Sequence, residues 1–197
     1  MLTDRDKRIL RFIEKYKAIS TQQADAIFFQ CERSCIRRMN QLEDLKILDS
    51  YYIGKNKIYK YPEERKISQH DLYILDFYAW VYREKGDVLD FQLTPHYLKG
   101  ILIPDALCKF KIDYEGTTYT ANVLLEIDYT HYTEISKLNT WYEKLYKEET
   151  LKEYYGQAEF PIVVIARPTR GLIYKSNNFE ILYTDFKFNN LVNFIFN

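Results

Sequence analysis

Apolar residues near the start of the chain recur every three or four positions: Ile9, Leu10, Phe12, Ile13 and Tyr16 follow Thr3, Asp4 and Asp6. The spacing predicts a helix capped by Thr3, with acidic residues in its first turn. Ser20 or Thr21 then caps a short second helix carrying Ala24, Ala26, Ile27 and Phe28. After a break near Gln30, a third helix is expected over residues 32–45, with Cys35, Ile36, Met39, Leu42 and Leu45 as its apolar set. Its opposite side carries Arg33, Ser34, Arg37, Arg38, Asn40 and Gln41. Residues 48–53 and 57–61 flank Gly54-Lys55-Asn56, which reads as a β-hairpin with a basic tip.

Pro62 and the charged stretch after it mark an expected domain boundary, dividing the chain into residues 1–66 and 67–197. Beyond it, Ser68 caps a helix over 69–84 that buries Leu72, Leu75, Phe77, Ala79 and Trp80. Strands are expected at 88–93, 101–112 and 118–128, the last two joined by a turn at 114–117. A long helix at 133–154 precedes an unbroken apolar run, Pro161 to Ala166, that reads as a buried strand. A short strand at 179–184 and a helix at 186–196 close the chain. The pattern is that of a two-domain α+β or α/β protein without internal repeats.

Formal net charge is zero, but it is unevenly placed. Residues 1–66 hold 15 Lys and Arg against 10 Asp and Glu, leaving 13 basic and 18 acidic residues beyond. A basic head of three helices and a hairpin reads as a winged helix-turn-helix for double-stranded DNA. Arg33, Ser34, Arg37, Arg38, Asn40 and Gln41 are residue types that reach base edges and phosphates from the major groove. Lys55 and Lys57 are expected on the backbone beside it, adding affinity without sequence choice. No cofactor is required for that role.

The other chemistry is sparse. Three cysteines lack the spacing of a zinc site or disulfide framework, and no charge-free run of about 18 apolar residues or signal sequence appears. A cytoplasmic protein without membrane contact is expected. His70, His96 and His131 are widely separated, and only His131, three residues past Asp128, stands near other candidate chemistry. Arg167 and Arg170 follow the buried strand at its carboxyl end, as a phosphate-holding loop or an ordinary solvated one. No Gly-rich phosphate loop, nucleophile elbow or Cys-His pair points to an NTPase or hydrolase.

Pro104-Asp105 on the expected second strand and Glu126-Ile127-Asp128 at the end of the third, within that element order, resemble the restriction-endonuclease-like superfamily. The resemblance implies that Asp105 and Glu126 hold a divalent metal, with Asp128 as a further ligand on the same side of its strand. Position 128 is Asp where an active nuclease usually carries Lys, so Lys137 on the following helix is the candidate for the missing ammonium. Mg²⁺ is the implied cofactor if the domain is active, with Asp105, Glu126 and Lys137 catalytic. The whole chain also resembles the replication-relaxation family of plasmid and mobile-element proteins. The residues that carry this resemblance are Arg5-Asp6-Lys7-Arg8-Ile9-Leu10, Arg37 to Leu42, Leu45-Lys46-Ile47-Leu48, His70-Asp71-Leu72, Pro104-Asp105-Ala106, Leu125 to Asp128 and Lys137-Leu138 before Tyr142. It implies a DNA-binding accessory factor for replication or conjugative transfer, with a relaxase, a replication initiator or a second copy as partner. A metal-dependent nuclease and a transcriptional autorepressor are the alternatives.

Overall fold

The computed structural model describes residues 1–148, 151, 160–169, 171, 173–189 and 191–195. Its contacts divide the chain into two units, Met1–Arg83 and Glu84–Asn197.

Helix α1 (Asp4–Tyr16) starts where the Thr3 hydroxyl accepts from the Asp6 N–H and the Asp6 carboxylate accepts from the Thr3 N–H. This reciprocal cap satisfies two amides that a helix start otherwise leaves unpaired. A three-residue strand β1 (Ala18–Ser20) follows, then helix α2 (Thr21–Ala24), which continues as a π-helical turn over Asp25–Phe29. Helix α3 (Glu32–Asp44) buries Cys35, Met39 and Leu42. Strands β2 (Asp49–Ile53) and β3 (Asn56–Lys60) form the expected hairpin, with Gly54 supplying the positive φ of its turn. The sheet order is β1-β3-β2. Strand β1 was not foreseen, because three residues carry no periodicity; it exists through pairing with Lys60, Tyr59 and Ile58, roughly 40 positions away.

Helix α4 (Gln69–Arg83) belongs to this first unit, so the division falls after Arg83 rather than after residue 66. The reason is packing. The Gln23 amide donates to the Leu72 carbonyl at 3.1 Å and to Asp76 Oδ1 at 2.7 Å. Tyr78 meets the rings of Phe12 and Tyr16 at centroid distances of 5.2 and 5.6 Å. The Pro62 and charge signal marks a turn inside the unit.

In the second unit, β4 (Asp87–Leu93), β5 (Ala106–Tyr114) and β6 (Thr117–Ile127) form an antiparallel meander. Strands β7 (Ile162–Ala166) and β8 (Ile181–Thr184) add to it in parallel, giving the order β4-β5-β6-β7-β8. A parallel neighbour requires a crossover. Between β6 and β7 lie a π-helical segment, Lys137–Tyr142, and the helix α5 (Glu143–Lys147) that continues it. The expected helix at 133–154 is thus shorter at its start, and residues 149–150 and 152–159 lie outside the described residues. Strand β5 starts at Ala106, later than the expected 101, because a 3₁₀ turn at Leu98–Gly100 with positive φ at Leu98 and Lys99 occupies the approach. Pro104 and Asp105 therefore precede the strand. The closing helix α6 spans Leu191–Ile195. Leu107, Leu124, Leu138, Tyr142, Leu145, Val163, Ile165 and Phe179 form the core between sheet and crossover. The protein is a mixed α+β chain with a five-stranded mixed sheet, and no described helix is long and apolar enough to cross a membrane.

Candidate functional site

Two clusters contain the residues singled out by sequence. On α3, the buried line of Cys35, Met39 and Leu42 fixes which residues point outward. Arg33 and Arg37, one helical turn apart, are exposed and have no side-chain partner among the described residues. Lys55 at the hairpin tip is likewise exposed. Ser34 is half-buried, and the exposed Gln41 accepts from Arg38 Nη1 at 2.9 Å.

Arg38 differs from its neighbours and corrects the sequence reading. Its Nε and Nη2 donate to Asp6 Oδ1 and Oδ2 at 2.8 and 2.5 Å, a two-pronged pair with a fully buried carboxylate. The Arg38 hydrogen bond holds the Asp6 carboxyl at about 2, below its ordinary value. Asn40 and Lys57 are also committed within the unit. Lys57 Nζ lies 2.6 Å from Glu43 Oε2 and 3.1 Å from Asn40 Oδ1, and the Tyr59 hydroxyl donates to the same Asn40 oxygen at 3.0 Å. These contacts tie α3 to the hairpin. Of the eight residues proposed for DNA, Arg38, Asn40 and Lys57 hold the unit together, while Arg33, Arg37 and Lys55 face solvent.

Two residues of the apolar set expected for the third helix also depart from expectation. Ile36 is 40% exposed because it lies away from the line through Cys35, Met39 and Leu42, and Leu45 is 63% exposed at the C-cap, past the end of α3. Ile36 borders a groove of about 350 Å³ between α3 and the hairpin.

The second cluster lies at the carboxyl end of β6. Ala106 pairs with Leu125, which sets Asp105 beside Glu126. Asp105 Oδ2 accepts from the Ile127 N–H at 2.6 Å. Glu126 is buried; Lys137 Nζ lies 2.8 Å from its Oε2, and the Tyr142 hydroxyl donates to Oε1 at 2.5 Å. Lys137 and Tyr142 sit five residues apart at the ends of one π-helical segment, whose wider turn turns both toward Glu126. Burial raises the Glu126 carboxyl to about 7; Asp105 adds to the rise and the Lys137 ammonium opposes it. Burial also pushes the Tyr142 phenol well up.

Asp128 does not join this group. It lies beyond the last pair of β6, where its Oδ1 accepts from the Thr133 N–H and hydroxyl at 2.7 and 2.6 Å. Its Oδ2 lies 2.7 Å from Arg167 Nη2 in a buried ion pair. The guanidinium sits over the Tyr183 ring at 4.7 Å and near Tyr132 at 5.3 Å. Arg167 thus anchors Asp128 instead of an open phosphate loop, and Arg170 lies outside the described residues. His131 is exposed.

Mg²⁺ requires converging oxygen donors. Both Glu126 oxygens face Lys137 and Tyr142, Asp128 faces Arg167 and Thr133, and one Asp105 oxygen takes a backbone amide. Among the described residues no three His, Cys, Asp or Glu side chains are grouped as metal ligands. The expected cage of Asp105, Glu126 and Asp128 does not fit a divalent cation in this arrangement, although Asp105, Glu126 and Lys137 do converge.

Sequence reasoning missed Asp6, Glu43, Tyr142 and the Asp128–Arg167 pairing. Only Tyr142 had a nearby signal, its five-residue spacing from Lys137. No family model, curated protein or solved structure matches the chain.

Proposed function

We propose that the chain is a double-stranded DNA-binding accessory protein of a plasmid or integrative element, acting in the cytoplasm in its replication or conjugative transfer. The first unit is read as a winged helix-turn-helix. Helix α3 enters the major groove, and the β2–β3 hairpin lies along the phosphate backbone as a wing. The observation that carries this reading is the exposed pair Arg33 and Arg37 on α3, together with the exposed Lys55 at the tip of the hairpin. The second unit is read as a restriction-endonuclease-like domain, which its antiparallel meander followed by a parallel crossover supports. Its commitment of Asp128 to Arg167 favours a role in holding a partner, such as a relaxase, a replication initiator or a second copy, over cleavage.

The test is duplex binding by the full chain across a salt series. Arg33→Ala and Arg37→Ala each weaken binding to a selected site by about 1–3 kcal/mol where they touch bases. Lys55→Ala weakens all duplexes alike and lowers the salt slope by about one. Unchanged binding in all three variants refutes the assignment.

One observation favours a second reading, a metal-dependent nuclease: the Lys137 ammonium lies 2.8 Å from Glu126, beside Asp105. Incubation of labelled duplex with Mg²⁺ or Mn²⁺, alongside Glu126→Ala, separates the two. Cleavage that is lost in the variant replaces the accessory role with the enzymatic one.

A further inference from the structure

We infer that Ile36 is a specificity-determining residue that reads the C5-methyl group of a thymine, within one or two base steps of a guanine taken by Arg33 or Arg37. The inference rests on the DNA-binding reading above and names the sequence class that reading leaves open.

Ile36 has the composition of a core residue in the position of a surface one. At 40% exposure it borders the groove between α3 and the hairpin, together with Tyr52 and Lys55. It follows Arg33 by three residues, so these two side chains are neighbours on the helix surface.

The polar capacity of that surface is limited. The Asn40 side-chain oxygen already accepts from Lys57 and Tyr59, which removes the acceptor needed for two-point reading of adenine. What Ile36 itself offers outward is hydrocarbon, and the Arg33 guanidinium lies one helical turn before it. Guanidinium groups pair with the O6 and N7 of guanine, and in the major groove of unmodified DNA the apolar group available to hydrocarbon is the thymine methyl. Three residues of helix advance about 4.5 Å, against about 3.4 Å per base step, which sets the spacing between the two contacts.

The experiment selects duplexes from a random library with the full chain, then replaces each thymine of the selected site singly with deoxyuridine. This swap deletes only the methyl group. At one thymine close to a guanine, wild type loses roughly four-fold in affinity, the value of one buried methyl. Ile36→Ala binds the thymine and deoxyuridine duplexes alike, and Ile36→Val keeps part of the discrimination. Because Ile36 is 40% exposed and outside the buried core, both variants stay folded, which a cooperative thermal transition of each establishes. A selected site indifferent to every replacement, or one without thymine, overturns the inference while leaving DNA binding intact. Undiminished discrimination by Ile36→Ala overturns it as well. Failure to select any duplex refutes the DNA reading itself.

Discussion

Replacing Arg38 with Ala separates a residue that holds the fold from one that holds a ligand. The side chain is 24% exposed and its partner carboxylate fully buried, and that carboxylate also closes the start of α1. Deleting the guanidinium leaves Asp6 buried without its counter-charge. Breaking a buried pair this way costs about 3–5 kcal/mol, and the partial exposure of Arg38 sets the expectation near the lower end, about 3. For a unit the size of Met1–Arg83, each kcal/mol lowers the midpoint by roughly 4–8 °C, so a fall of about 12–24 °C is expected. The pH dependence has a definite sign. Because Asp6 is held at about 2, below its ordinary 3.8, the pair contributes fully above about pH 4 and is lost as pH falls through 2. Thermal unfolding followed by far-UV circular dichroism, with Asp6→Ala and the double variant, gives the coupling between the two residues. An Arg38→Ala protein that melts with wild type but no longer binds DNA refutes this account and returns Arg38 to the groove.

The remaining predictions concern both units. Arg33→Ala and Arg37→Ala leave melting unchanged while weakening duplex binding, the reverse of Arg38→Ala, as gel shift and calorimetry on the same samples will establish. Glu126 is raised from 4.5 to about 7, so the folded state keeps a proton that the unfolded state releases; stability of the second unit falls as pH rises from about 4.5 through 7. Glu126→Gln flattens that slope in a pH series of unfolding curves, and an unaltered slope would assign it to other groups. Asp128→Ala and Arg167→Ala, at 2% and 6% side-chain exposure, each cost about 3–5 kcal/mol in urea unfolding, and the pair together costs less than their sum.

Elements with a strong local signature were legible from sequence. α1, α3 and the hairpin follow from apolar spacing, a Thr3 cap and a glycine at a positive-φ turn; β6 and β7 follow from their apolar runs. The three-residue strand β1 and the membership of α4 were not legible, since both depend on partners distant in sequence. The same limit governs the candidate sites. Residue type and helical side placed Arg33, Arg37 and Arg38 together, but only tertiary structure reveals that Asp6, 32 positions earlier, takes one of them. Period-two alternation put Asp128 beside Glu126, whereas the strand ends at Ile127 and frees Asp128 to turn toward Arg167. Lys137 was found because the restriction-endonuclease-like resemblance asked for an ammonium in place of the one absent at position 128; Tyr142 was overlooked because a π-helical segment does not follow ordinary helical spacing.

The attachment of α4 bears on how this architecture is recombined. Gln23 reaches across to Leu72 and Asp76, and Phe12 and Tyr16 lean on Tyr78. A chimera joined at residue 66 would strip an aromatic face bare and strand a polar amide, whereas one joined after Arg83 carries the first unit away whole. Any exchange of this unit between chains therefore has to carry four helices together, not three.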